Sequence, residues 1–209
     1  RVAGLVLVST QCRADTASAS ARRRSQIAVL KAQGFHAALQ AFLPQLLGGN
    51  GHERLVMEAL VEEMAGIVGV EAFERQIRAC ISRPDQRETL RHLPMDIPVL
   101  ALTGKEDKIT PPQCLKEMRE LLLSRQACAM AGQQAPAPWS ARLCDGVGHM
   151  MPSESPELFY RMLSEWAGRV HRAQDASSAF VPQRLWQSGV PFLAGRGSVD
   201  IAQRSPAVA

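Results

Sequence analysis

Two residues of this chain have the types and positions to move a proton between them. Asp107 lies in GKEDKITPP, three residues past Gly104, and His149 lies in GVGHMMP, directly after Gly148. A carboxylate that accepts the imidazole Nδ1–H holds one tautomer and leaves Nε2 free to act as a base. Either residue alone says little. A glycine-flanked histidine serves equally well in a surface turn, and by spacing Glu106 is as good an acid as Asp107. The combination says more: acid first and histidine second, each after an apolar run and each ahead of a helix that proline opens.

Those apolar runs are the elements that must position the pair. Residues 2–9, VAGLVLVS, contain three valines and two leucines without alternation, so they read as a strand buried on both faces of a parallel sheet. IPVLALT at 97–103 reads the same way, with Pro98 tolerated at its start. ARLCD at 141–145 is a third, shorter candidate. In open parallel sheets, ligand chemistry gathers at the carboxyl ends of the strands, where Asp107 and His149 both fall.

Helical patterns fill the intervals. Residues 16–33 are helical in composition, with Gly34 a stop. FHAALQAFLPQLL continues the pattern until Pro44 kinks or ends it, and GGNG at 48–51 is a loop. Leu55, Val56, Ala59, Leu60, Met64, Ile67 and Val68 then form an apolar stripe, which Gly69 interrupts. VEAFERQIRACIS ends at RPDQ, which turns the chain back toward the sheet. PPQCLKEMRELLL and SPELFYRMLSEWAGRV are helices whose first turns carry proline, and Ser155 is a candidate N-cap. Residues 124–140 are rich in Ala, Gln, Pro and Ser and read as a looped-out insertion. The order is strand, helical block, strand, helix, strand, helix, which specifies an α/β layered fold with parallel crossovers. The helical block is too long for a simple crossover and is expected to lie over the end of the sheet as a cap.

LRHLPMDIPVLALTGKEDKITPPQCLKEMRELL and ARLCDGVGHMMPSESPELFYRMLSEWA together resemble the C-terminal half of an α/β-hydrolase-fold enzyme. Upstream, GLVLVSTQCRADTASASARRRSQIAVLKAQGF is similar to the family strand that enters a helical cap, and ISRPDQRETLRHL to the exit from it. The resemblance covers roughly residues 2–168. It implies Asp107 as the catalytic acid, Glu106 as a solvent-facing neighbour and His149 as the catalytic base. It also implies four segments: a core strand in 1–15, a helical cap over 16–92, the rest of the core over 93–170, and a tail over 171–209 read as disordered.

The family's nucleophile sits on a G-x-S-x-G elbow. No such motif occurs in these 209 residues. Ser9 and Thr10 end a strand that resembles the one after the elbow. Ser153 and Ser155 read as turn and cap residues, and Ser198 follows no strand. The expectation is an N-terminally truncated chain whose nucleophile lies upstream of Arg1. Alone it would be inactive, with an uncovered apolar strand edge that favours aggregation. The implied parent is a serine-triad esterase acting on a carboxylic ester or related acyl bond. The alternatives are a non-catalytic binding or interaction module, a truncated gene product and, on the same fold, a C–C hydrolase, lyase, epoxide hydrolase or dehalogenase.

Composition narrows the partners. Net charge is +4, and Arg22, Arg23 and Arg24 stand without interleaved aromatic residues, so they read as a solvated helix face and not as a nucleic-acid surface. Five dispersed cysteines without a C-x-x-C pair argue against disulfides and zinc and favour a reducing, cytoplasmic setting. No apolar run reaches the roughly 18 residues of a membrane span. The dispersed histidines imply no metal or other cofactor. The expected partner is a small hydrophobic ester or acyl compound; the oligomeric state is open. Phe35, Leu39, Phe42, Met57 and Met64 are candidates for the pocket lining, against simple core packing, as are Met150 and Met151.

Overall fold

A computed structural model describes residues 2–130 and 137–178. Three strands, β1 (Leu5–Val8), β2 (Val99–Gly104) and β3 (Trp139–Cys144), form a parallel sheet in that spatial order. Val8 stands opposite Leu102 and Gly104 opposite Cys144, which aligns the carboxyl ends of neighbouring strands.

Alternation along the strands assigns one side chain to each face in turn. Leu5, Leu7, Val99, Ala101, Trp139 and Ala141 face α3 (Arg87–Arg91) and α4 (Pro112–Met130), meeting Leu90, Met118 and Leu122. Val6, Val8, Leu100, Leu102 and Cys144 face the opposite side, against Met151 of α5 (Met151–Glu154) and Trp166 of α6 (Pro156–Ser178). Arg125 near the end of α4 is buried. It donates to the carbonyls of Pro94 and Ile97, and burial lowers its pKa. That contact holds the turn entering β2.

The strands share composition but not burial. Every residue of β2 is buried, whereas all four of β1 are half-buried. The expectation of a strand covered on both faces over 2–9 therefore needs correction. The strand is shorter, and among the described residues only β2 pairs with it. The insertion expected over 124–140 is also narrower, because α4 continues to Met130 and β3 begins at Trp139. Helix α6 runs past 170 to Ser178, so helix continues into the segment read as a tail. Residues 131–136 and 179–209, Ser198 included, lie outside the described residues.

Between β1 and α3 the chain forms two long helices, α1 (Ala17–Leu46) and α2 (Gly51–Ile81). Thr16 caps α1, its Oγ1 accepting the Ala19 N–H at 3.1 Å. Each helix breaks at a glycine in the left-handed region: Gly34 (φ 85°) in α1 and Gly69 (φ 74°) in α2. Pro44 is accommodated two residues from the end of α1. The pair is joined by Leu39, Leu43, Leu46 and Val61, and by edge-to-face contacts of Phe73 with Phe35 (5.4 Å) and Phe42 (6.4 Å). The α2 stripe read from the sequence exists but points outward: Leu55 is 63% exposed and Ile67 81%. Among the described residues, no helix is long and apolar enough to cross a membrane.

Candidate active site

The turn after β2 is built around the Asp107 carboxylate. The Asp107 N–H donates to the Gly104 carbonyl at 3.3 Å, reversing the chain at the strand end. Oδ1 then accepts the N–H groups of Ile109 and Thr110, each at 2.8 Å. Oδ2 accepts the Thr110 hydroxyl at 2.7 Å and faces His149 Nδ1 at 2.9 Å. The carboxylate is completely shielded from solvent, while the His149 side chain is 25% exposed. An acidic residue whose side chain bonds its own backbone two and three residues on is a common turn device. Thr110 was not singled out from the sequence. Its signal was the Asp-x-x-Thr spacing, which lets a hydroxyl return to the carboxylate.

Burial pushes the Asp107 carboxyl pKa up, but hydrogen bonds from His149 and Thr110 outweigh it and hold the net value below the ordinary 3.8. The group is therefore ionised at neutral pH and can only accept. That fixes the imidazole: Nδ1 carries the proton toward Asp107, and Nε2 presents a lone pair. The Thr110 hydroxyl lies 3.4 Å from Nδ1, but its own proton is committed to Asp107 Oδ2.

The histidine loop is pinned from three sides. Lys105 and Glu106 donate their N–H groups to the Cys144 and Val147 carbonyls (2.8 and 3.0 Å), tying the two post-strand turns together. The His149 N–H donates to the Leu46 carbonyl at the end of α1 (2.7 Å). Glu154 completes the hold. Its Oε2 accepts from Gly48 (2.7 Å) and Gly148 (2.9 Å), and its Oε1 from Met150 (2.8 Å). Glu106, expected to face solvent, is exposed yet accepts the Gly49 N–H at 2.7 Å. The two glutamates thus clasp the GGNG loop against the GVGH loop. The loops also approach backbone to backbone: a Cβ at Gly148 would lie 2.3 Å from the Gly48 nitrogen. That explains the glycine before His149 in spatial terms.

His149 opens into a cavity of about 280 Å³. Its floor includes Ser9, Thr10 and Thr110, at the carboxyl ends of β1 and β2. Phe42, Leu46, Phe73 and Ile77 line walls supplied by α1 and α2, and Arg23 and Arg83 reach it from the same helical region. Of the candidate lining residues, only Phe42 reaches this cavity. Phe35 packs on Phe73, Leu39, Met57 and Met150 join the core of the helical block, Met151 is fully buried beneath the sheet, and Met64 faces outward.

One residue differs from its sequence reading, and another is strained. Arg23 is not part of a solvated face: it is largely buried and pairs at 2.6 Å with Asp15, whose side chain is fully buried. Ser9 has φ 44°, a left-handed backbone costing of order 1–3 kcal/mol. Its hydroxyl is buried with no partner among the described residues, which costs about 1–3 kcal/mol more. Ser153 and Ser155 belong to the short turn around α5, as expected of a loop leading into α6.

No protein-family model and no curated protein sequence matches the chain. Solved structures do. A thermophilic esterase from Thermogutta terrifontis, with malate bound, aligns over 82% of this chain and 57% of its own, at 24% identity and TM-score 0.66. A carboxylesterase structure from the thaumarchaeon Nitrososphaera gargenis aligns over 83% of this chain and 58% of its own, at 16% identity and TM-score 0.62. MGS-M2, an α/β-hydrolase enzyme from a Medee basin deep-sea metagenome library, aligns over 79% and 56%, at 16% identity and TM-score 0.58. The chain therefore has the α/β-hydrolase fold, and it spans less than three fifths of the length of each of these three proteins.

Proposed function

We propose that Asp107 and His149 are the acid and base of a serine hydrolase that cleaves a carboxylic ester or related acyl bond. The observation that carries this reading is the 2.9 Å contact between a shielded carboxylate and an imidazole whose far side opens into a cavity. In this reading, Nε2 takes the proton of a serine as its oxygen attacks the acyl carbon, and returns it to the departing alkoxide. A water then repeats the attack on the acyl-enzyme with the same proton relay. Asp107 holds the tautomer and stabilises the imidazolium that forms at each step. The α1–α2 pair acts as the cap, and its apolar wall receives the acyl or alcohol group of a small ester.

The nucleophile is a serine on a G-x-S-x-G elbow outside these 209 residues, and the chain alone does not turn over esters. The setting we propose is reducing and cytoplasmic, as five dispersed cysteines without a C-x-x-C pair favour. The test joins this chain to a strand–elbow–helix unit bearing the serine and measures aryl-ester turnover together with labelling by a fluorophosphonate. Both are expected to collapse on His149→Ala. Turnover that survives that substitution overturns the reading. Turnover by the 209-residue chain alone, lost on His149→Ala, overturns the placement of the nucleophile.

A further inference from the structure

The cavity above His149 has an uneven electrostatic lining. Two of its lining residues are cationic, Arg23 and Arg83, and none is acidic. Asp107 lies behind His149 and Thr110, fully shielded. Arg23 is neutralised by its pair with Asp15. Arg83 is not: it is half-buried, and its guanidinium has neither an ion pair nor a hydrogen bond among the described residues. The nearest acid in sequence, Asp85, is engaged at 2.5 Å by Arg87. A half-buried guanidinium without a counter-charge, beside an apolar wall, is arranged to meet an anion. Ser9 lines the same cavity, but its hydroxyl oxygen is shielded from it, so Arg83 is the group that faces such an anion.

We propose that this cavity recognises a ligand arm that ends in a carboxylate, with Arg83 as the ion-pair partner. Resting on the hydrolase reading above, this makes the substrate class half-esters of dicarboxylic acids and not simple apolar esters. The apolar wall accepts the methylene arm and Arg83 reads its charged end. Arg83 is thus a specificity-determining residue, remote from bond cleavage.

The test measures binding, so it does not depend on a nucleophile. Saturation-transfer NMR titrations of the 209-residue chain, at micromolar concentration, compare monomethyl succinate with neutral dimethyl succinate. The monoanion is expected to bind at least about tenfold more tightly, a difference of about 1.4 kcal/mol. Arg83→Gln is expected to remove that preference, Arg83→Lys to keep part of it, and Arg161→Gln, on the exposed face of α6, to leave it intact. High salt is expected to shrink the preference in the unaltered protein, which gives a readout independent of any variant's folding. Equal affinity for the two ligands overturns the proposal, as does absence of binding at tens of millimolar ligand, or a preference that ignores both salt and Arg83. Binding is read separately from turnover, so the two readings fail separately. Anion preference without ester turnover in the serine-bearing protein therefore sinks the hydrolase reading alone. His149-dependent turnover without anion preference sinks this subsite alone.

Discussion

Strand β2 and helix α2 are both rich in leucine and valine, yet they end in opposite environments. Leu100 and Leu102 are at most 1% exposed, whereas Leu55 and Ile67 lie mostly in solvent. The difference is in neighbours. Strand β2 has a strand on each edge and helices on both faces. Helix α2 packs one side against α1, and of its residues only Val61 and Ile77 are buried. An apolar pattern marks a face that gains from cover; the packed partners determine whether it is covered.

The contrast can be broken by substitution. Leu102→Ala is expected to cost about 2–5 kcal/mol in a urea-denaturation measurement, because β2 is clamped and cannot collapse into the cavity left behind. If the loss is no larger than for Val6→Ala in half-buried β1, burial is not what separates the strands. Gly148→Ala is expected to cost less, about 1–3 kcal/mol, by forcing apart the GVGH and GGNG loops that Glu154 clasps. An unchanged melting curve would show that the loops are not tightly joined.

The buried acid adds a pH dependence. Because the folded-state pKa of Asp107 is depressed, its contribution to stability is fully present above the unfolded value near 3.8 and is lost as pH falls through the lower folded value. Asp107→Asn is expected to flatten that part of the acid limb in denaturation curves taken across pH. An acid limb as steep as before would place the titration elsewhere. The smallest effect is expected at the exposed end of the comparison. Ile67→Gln should change stability by no more than about 0.5 kcal/mol, and a larger loss would mean that α2 is covered by something else.

The same contrast explains what could be read from the sequence. Strand β2, the helices with prolines in their first turns, Asp107 and His149 were legible because each depends on local pattern: an apolar run, a turn, then a polar residue at the strand end. Glu154 was not legible, because its three N–H donors come from two loops about a hundred residues apart, and nothing local marks an acceptor of remote backbone groups. Arg23 reads as surface in the sequence because its counter-ion, Asp15, is buried only in the folded structure. The positive φ of Ser9 and the isolation of Arg83 exist only in three dimensions. The stripe on α2 was legible as a stripe, but its direction was not, since periodicity carries no information about which partner comes to meet it.

The proposed chemistry depends on one proton. In the neutral His149 ring it must sit on Nδ1, facing Asp107, with Nε2 bare toward the cavity. Nitrogen-15 NMR of the histidine ring, read with the Nδ1 proton resonance, measures this directly. The prediction is a single tautomer protonated at Nδ1, with a far-downfield proton that disappears in Asp107→Asn as the ring shifts toward the Nε2–H form. A ring already protonated at Nε2, or a tautomer mixture indifferent to Asp107→Asn, would contradict it.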